Sequence, residues 1–412
     1  MALLAACYPL AVPGFPSLQS TPVPTRTLPP PPTPYPTLIL VPTPTLAVAP
    51  LQDVVAIAAG GAHTCALTRS GAVRCWGWNW YGQLGDGTKT DRPMPVGVVG
   101  LGRDVVAIAA GEAHTCALTR SGAVWCWGSN GGGELGDGTT TDRPTPVRVV
   151  GLGSDVVAIA AGWAHTCALT AGGEVRCWGA NVGQLGDGTT TDRPTPVGVM
   201  GLEKGVAAVA AGGLHTCALS TDGGVRCWGQ NQYGQLGDGT TTDRLTPVDV
   251  VGLERGVAAV AAGWGHTCAL STDGGVRCWG QNQSGELGDD TTLQRNTPVE
   301  VVSLRRDGVA ITAGWGHTCA LTQGGRVMCW GANEFGQLGD GTFTGSAVPV
   351  GGVGLSGVVA IDAGDAHTCA LTTDGGVRCW GSNTLGQLGD GTTTDRNMPV
   401  EVVEIEQGAG AP

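Results

Sequence analysis

The chain is short of charge and of aromatic rings. Only 14% of its 412 residues are charged, against about a quarter in an ordinary globular protein, and only 5% are aromatic. Few large side chains are left to build a deep core, so the chain must bury itself in many thin layers. What charge exists is acidic, −12 overall, and an acidic surface repels phosphate backbones. Nucleic-acid binding is therefore excluded. No run of ~18 apolar residues could form a membrane-spanning helix. No Ser-His-Asp arrangement, phosphate-binding loop or dinucleotide-binding motif appears, which points away from catalysis. C-x2-C spacing is also missing, so neither a metal nor a cofactor is expected.

What the sequence has instead is glycine, 71 residues, and proline, 25 residues. Fourteen of the prolines lie in the first fifty positions, mixed with Thr as in TPVPTRTLPPPPTPYPT. Such a stretch cannot form a packed core and favours an extended polyproline helix. Residues 8–50 are read as a disordered linker. Ahead of them, Leu4-Ala5-Ala6-Cys7 resembles a lipobox, with residues 1–7 as a truncated lipoprotein signal and Cys7 as the lipidation site. The alternative is a chance LAAC. Only through a lipid on Cys7 would the protein meet a membrane.

The remainder is a repeat. HTCALTRSGAVRCWG begins at His63, and near-copies begin at His114, His165, His215, His266, His317 and His367, the chain's seven histidines. The period is 50 or 51 residues. In the first copy VVAIA (54–58), HTCALT (63–68), AVRCWG (72–77) and PVGVV (95–99) read as four short strands separated by Gly-rich turns. Four strands per repeat, seven times, predict an all-β fold, a seven-bladed β-propeller of four-stranded antiparallel blades. It spans 51–403, with repeats near 51–101, 102–152, 153–202, 203–253, 254–304, 305–355 and 356–403, and 404–412 as a tail. The connection from each fourth strand to the next first strand is about five residues long, which predicts a hairpin across it. The last strand, 399–403, would then pair with 54–58 and close the ring.

The words HTCALTxxGxVxCWGxNxxGQLGDGT, followed by TPV, resemble the repeats of the regulator of chromosome condensation family over residues 51 to 403. The resemblance implies a seven-bladed propeller. It also raises nucleotide exchange, the activity of the founding member. That activity is attributed to a hairpin inserted in one blade, for which no 50- or 51-residue copy has room.

Within each copy, a His and two Cys ten residues apart could contribute to a zinc site. The simpler reading is a His bonded to backbone in a neighbouring turn, and a Cys pair that is either a cross-strand disulfide or two buried thiols. Directly opposed strand residues are close enough to bond. The pairs are Cys65 with Cys75, Cys116 with Cys126, Cys167 with Cys177, Cys217 with Cys227, Cys268 with Cys278, Cys319 with Cys329, and Cys369 with Cys379. Even pairing and a lipobox-like start favour an oxidising, extracellular or cell-surface location. The Trp of each CWG is read as blade packing, and the Leu-Gly-Asp-Gly-Thr turn as local capping by Asp.

Recurrence marks scaffold, so departures from it mark candidate function. The position after Ala-Gly is Gly61, Glu112, Trp163, Gly213, Trp264, Trp315 and Asp365 in turn. After CWG the first copy carries Trp78, Trp80 and Tyr81, while others carry Tyr233 and Phe335. Both loops open on one face of the disc. That face is expected to bind a protein partner through Trp78, Trp80, Tyr81, Trp163, Tyr233, Trp264, Trp315 and Phe335, fringed by Glu112 and Asp365, with the protein itself a monomer. Carbohydrate recognition is the alternative. Trp163, Trp264 and Trp315 could instead plug the central channel.

Overall fold

A computed structural model describes residues 48–405. They form seven four-stranded antiparallel sheets, each made of four consecutive strands, and one two-stranded sheet. The first blade comprises Val54–Ala59, His63–Thr68, Val73–Gly77 and Arg92–Gly97. Its first strand is β-branched and small, VVAIAA, with a bulge between Val54 and Ala56. The turn into the third strand is tight because Gly71 adopts φ +79°, where a side chain would be strained. The second and third strands pair with Cys65 opposite Cys75 and Thr64 opposite Trp76. The same order and register recur through the seventh blade, Val358–Ala363 to Arg396–Glu401.

The expected hairpin between the fourth strand and the next first strand does not form. Each fourth strand pairs only with its own third strand, and the chain crosses to the inner edge of the next blade. Chain reach explains this. Seven residues, 98–104, link the first two blades. At ~3.3 Å each they span about 23 Å, more than the ~14 Å of three strand spacings. The crossing segment is also apolar, and its Val149, Leu202 and Leu253 are buried between blades.

Closure differs from expectation for the same reason. Residues 399–403 do not pair with 54–58. Val48–Pro50 pairs with Val403–Ile405, and the Leu51 N–H donates to the Val402 carbonyl at 2.8 Å. Residues 48–50 thus belong to the propeller rather than to the linker, and 404 and 405 are strand rather than tail. Cys7 and the greater part of the Pro/Thr-rich stretch lie outside the described residues.

The core is divided among the seven seams between blades. In one seam the disulfide of Cys65 and Cys75, with Leu67, Val73 and Leu84 of the first blade, meets Ala117 and Trp127 of the second. In the closing seam Cys369, Cys379 and Leu388 of the last blade meet Ala66 and Trp76 of the first. Each blade thus lends one tryptophan to its predecessor, and these few rings serve a whole chain.

Candidate functional site

The recurring side chains are structural. In the first seam His63 Nε2 lies 2.8 Å from Thr115 Oγ1, and that hydroxyl donates to the Gln83 carbonyl at 2.8 Å. The Trp127 indole N–H donates to the same carbonyl at 2.8 Å. Since the threonine proton is spent on Gln83, the histidine must donate, which places its proton on Nε2. Its Nδ1 is buried without a partner. Desolvation, with smaller repulsion from His114 and His367, lowers the His63 pKa to about 3. The expectation that each His bonds backbone is thus corrected. The partner is a threonine hydroxyl of the next blade, because the ring reaches across the seam. Among the described residues no three His, Cys, Asp or Glu converge.

The fourteen expected cysteines form seven disulfides within blades, all fully buried, with Cα atoms 4.0 to 4.1 Å apart. The Leu-Gly-Asp-Gly-Thr turn is held from inside by Asn79. Its amide donates to Asp86 and to the Thr88 and Thr90 carbonyls, and its carbonyl accepts from the Leu84 N–H. Asp86 also caps the Thr88 N–H at 2.9 Å and pairs with Arg92. Burial works to raise its pKa, but bonds from Thr88, Arg92 and Asn79 outweigh it and hold the carboxyl below its ordinary value. The sixth blade has Ser346 where the others have Arg, and there Asp340 makes no ion pair among the described residues.

The departures gather at one end of the central channel. Glu112, Trp163, Trp264, Trp315 and Asp365 line a cavity of about 350 Å³ with the glycines and alanines of the first strands. The tryptophans border this space without filling it. The ring is narrow because glycine precedes each variable position. A Cβ on Gly60 would lie 2.3 Å from the Gly111 carbonyl oxygen, and Gly364 meets Gly60 in the same way. Backbone bonds link neighbouring turns, as from Trp315 N–H to the Asp365 carbonyl, 3.2 Å, and from Asp365 N–H to Gly61, 3.3 Å.

The two acids differ from surface carboxylates. Burial foremost, then repulsion from Asp365, raises the Glu112 pKa to about 7, although the Trp163 indole N–H favours its charged form. Asp365 keeps solvent contact through the open mouth, yet the surrounding walls desolvate it and hold it at about 6. Sequence reasoning missed a third acid, Asp362. It accepts from the Ala59 N–H at 2.8 Å and from Thr312 at 3.0 Å, and burial raises it to about 6. The signal was present: VVAIDA and GVAITA break an otherwise apolar rung in two adjacent copies.

Farther out, Tyr233 packs on Trp264 at 5.7 Å, and Trp264 on Trp315 at 6.1 Å, edge to face. Trp78 and Tyr81 form a separate pair at 5.4 Å. Trp80 and Phe335 are exposed. Trp78, Trp80, Tyr81, Tyr233 and Phe335 take no part in lining the channel.

Seven consecutive blades, each stitched to the next by the CWG tryptophan, agree with what the family profiles find. Residues 32–350 match the RCC1-like domain, and 358–387 and 374–408 match regulator of chromosome condensation (RCC1) repeats. The chain belongs to the RCC1-like family. It is 38% identical over 297 residues to the ultraviolet-B receptor UVR8 of Arabidopsis thaliana, covering 70% of this chain and 67% of that one. It is 36% identical over 295 residues to the human E3 ubiquitin-protein ligase HERC2, of which it spans only 5%. Among solved structures, Prp20p from Saccharomyces cerevisiae, described with its binding to Gsp1p and histones, superposes with a TM-score of 0.73 at 27% identity. That match covers 82% of this chain and 87% of the other. Human WBSCR16 gives 0.72 at 26%, covering 78% and 88%.

Proposed function

We propose that this propeller is an exported binding scaffold that recognises a protein partner through its aromatic face and catalyses nothing itself. One contrast carries the reading. The seven tryptophans that recur are wholly buried, whereas Trp80 is 70% and Trp315 54% exposed. Apolar rings that pack no core and stand in water suit an interface, where buried aromatic anchors contribute most of the affinity. Trp163 and Phe335 share that exposure. RCC1-like relatives support the idea, since Prp20p is described by its binding to other proteins. The disulfides support folding in an oxidising compartment. A lipid on Cys7 would tether such a scaffold to a membrane.

The test is capture of partners on the intact propeller beside a glycan array. Trp80→Ala and Trp315→Ala should each weaken a captured protein about tenfold or more at unchanged melting temperature. Binding confined to glycans would replace the protein reading with a carbohydrate one. Full binding by both variants would place the contact elsewhere.

A further inference from the structure

The channel mouth is polarised. Around the ring the variable positions run Gly61, Glu112, Trp163, Gly213, Trp264, Trp315, Asp365. The acids therefore sit on the arc formed by the seventh, first and second blades, and the indoles on the arc formed by the third to sixth. Gly61 lets the acids face one another. A Cβ there would stand 2.9 Å from Glu112 Cγ and 3.2 Å from Asp365 Oδ2.

Nothing cationic answers these acids. No Lys, Arg or His lines the cavity, and among the described residues neither acid makes an ion pair. Two unpaired carboxylates so close, on a wall that desolvates them, are unfavourable as they stand: burial raises both pKa values, and repulsion from Asp365 adds to the rise at Glu112. Opposite them, Trp264 packs on Tyr233 and nearly perpendicular to Trp315. Tryptophan offers the strongest π face to a cation, and a desolvated cation gains more from it than an exposed one. A volume of about 350 Å³ lies at the small end of ligand pockets and accommodates a head group rather than an extended chain.

We propose that the channel mouth is a receptor for an alkylated ammonium head group, held against Trp163, Trp264 and Trp315 on one side and neutralised by Glu112 and Asp365 on the other. Such a head can come from a free small molecule or from a methylated lysine on a partner chain. The proposal builds on the scaffold reading only in the choice of face.

The experiment titrates the full chain, followed by intrinsic tryptophan fluorescence and calorimetry. Three ligands are compared: choline, its neutral carbon isostere 3,3-dimethylbutan-1-ol, and a short peptide containing trimethyl-lysine. Choline or the peptide should bind saturably, with the isostere about tenfold weaker or worse. Glu112→Gln and Trp315→Ala should each weaken the cation at least about fivefold. Leu293→Thr, an exposed position where other blades already have Thr, should leave it unchanged. Thermal melts confirm that each variant is folded, and Asp365→Asn stands in for any that is not. Binding of choline points to a free ligand, and binding of the peptide alone points to a partner's side chain. Equal binding of the neutral isostere, no saturation by either cation, or full binding by the folded variants overturns the proposal. If cations bind while no protein partner is captured, the scaffold reading fails and the cation site stands.

Discussion

His367 of the last blade meets Thr64 of the first with Nε2 and Oγ1 2.9 Å apart. Thr64 in turn donates to the Gln387 carbonyl at 2.9 Å, so the closing seam repeats the geometry of the six others. A ring closed by the same bond that builds it has no weakest joint at its ends. Thr64→Val keeps the shape but strands a buried His N–H and leaves Gln387 one donor short. The expected cost is about 1–3 kcal/mol, and Thr216→Val, at an internal seam, should cost the same. Chemical denaturation of both variants checks this. A much smaller loss at Thr64 would show that closure depends on something else.

Acid should dismantle the seams. All seven histidines are lowered from 6.5 to about 3 or 4, with burial the main cause. A pKa lowered by folding gives stability that is complete above 6.5 and is lost as pH falls towards the folded value, at about 1.4 kcal/mol per unit per group. Five acids shift the other way, because burial raises them: Glu112, Glu134, Glu286, Asp362 and Asp365. They take up protons in the folded state first and so soften the loss between pH 6.5 and about 4.5. Below that the unfolded acids protonate too, and the decline should be steepest. Melting temperatures measured from pH 7 to 3.5 test the sequence, and a flat profile from 6.5 to 4 would contradict it.

Glycine at the channel is required by contact. In Gly111→Ala the new Cβ would fall 2.4 Å from both the Gly162 carbonyl oxygen and His114 Cε1, so a backbone must move. Gly131, in the long loop of the same blade, has nothing within 4 Å of where a Cβ would stand and keeps an ordinary φ. Expression and melting of the two variants should separate them clearly. Gly111→Ala should lose more than about 3 kcal/mol or fail to fold, and Gly131→Ala should stay within about 1 kcal/mol.

Thiol counting checks the cysteines. In denaturant without reductant, purified exported protein should react as one thiol at most, from Cys7. After reduction it should show all fifteen cysteines of the sequence. Each disulfide closes a short loop, worth a little under ~3 kcal/mol by chain entropy. Cys65→Ala with Cys75→Ala should therefore lower stability by no more than that plus a small cavity term. Fourteen reactive thiols before reduction would refute the disulfides.

The terminal latch is a smaller matter. Deleting 403–412 removes the pairing of Val403–Ile405 with Val48–Pro50 but spares the Leu51–Val402 bond. Deleting 398–412 also removes Val402 and Val400 from the closing core. The first truncation should lower the melting temperature slightly and the second severely, as thermal unfolding would show.

The sequence by itself determined the blade. A fifty-residue period, short strand-forming runs such as VVAIA and HTCALT, and glycine at each turn leave little choice of local structure, because strand pairing across a tight turn is a short-range matter. Cysteines ten residues apart on opposed strands are part of the same local geometry. The way blades join was decided only in three dimensions. Connection length alone suggests a hairpin, but a seven-residue segment can as well cross to the next blade, and burial of Val149 or Leu202 between sheets favours the crossing. The histidine partner lay equally out of reach, since Thr115 is 52 residues from His63 and becomes its neighbour only when blades stack. The channel mouth shows both sides. Departures from the repeat marked Glu112, Trp163, Trp264, Trp315 and Asp365 along the chain. Their division into an acidic arc and an aromatic arc follows from closing the ring, which sets the seventh blade beside the first.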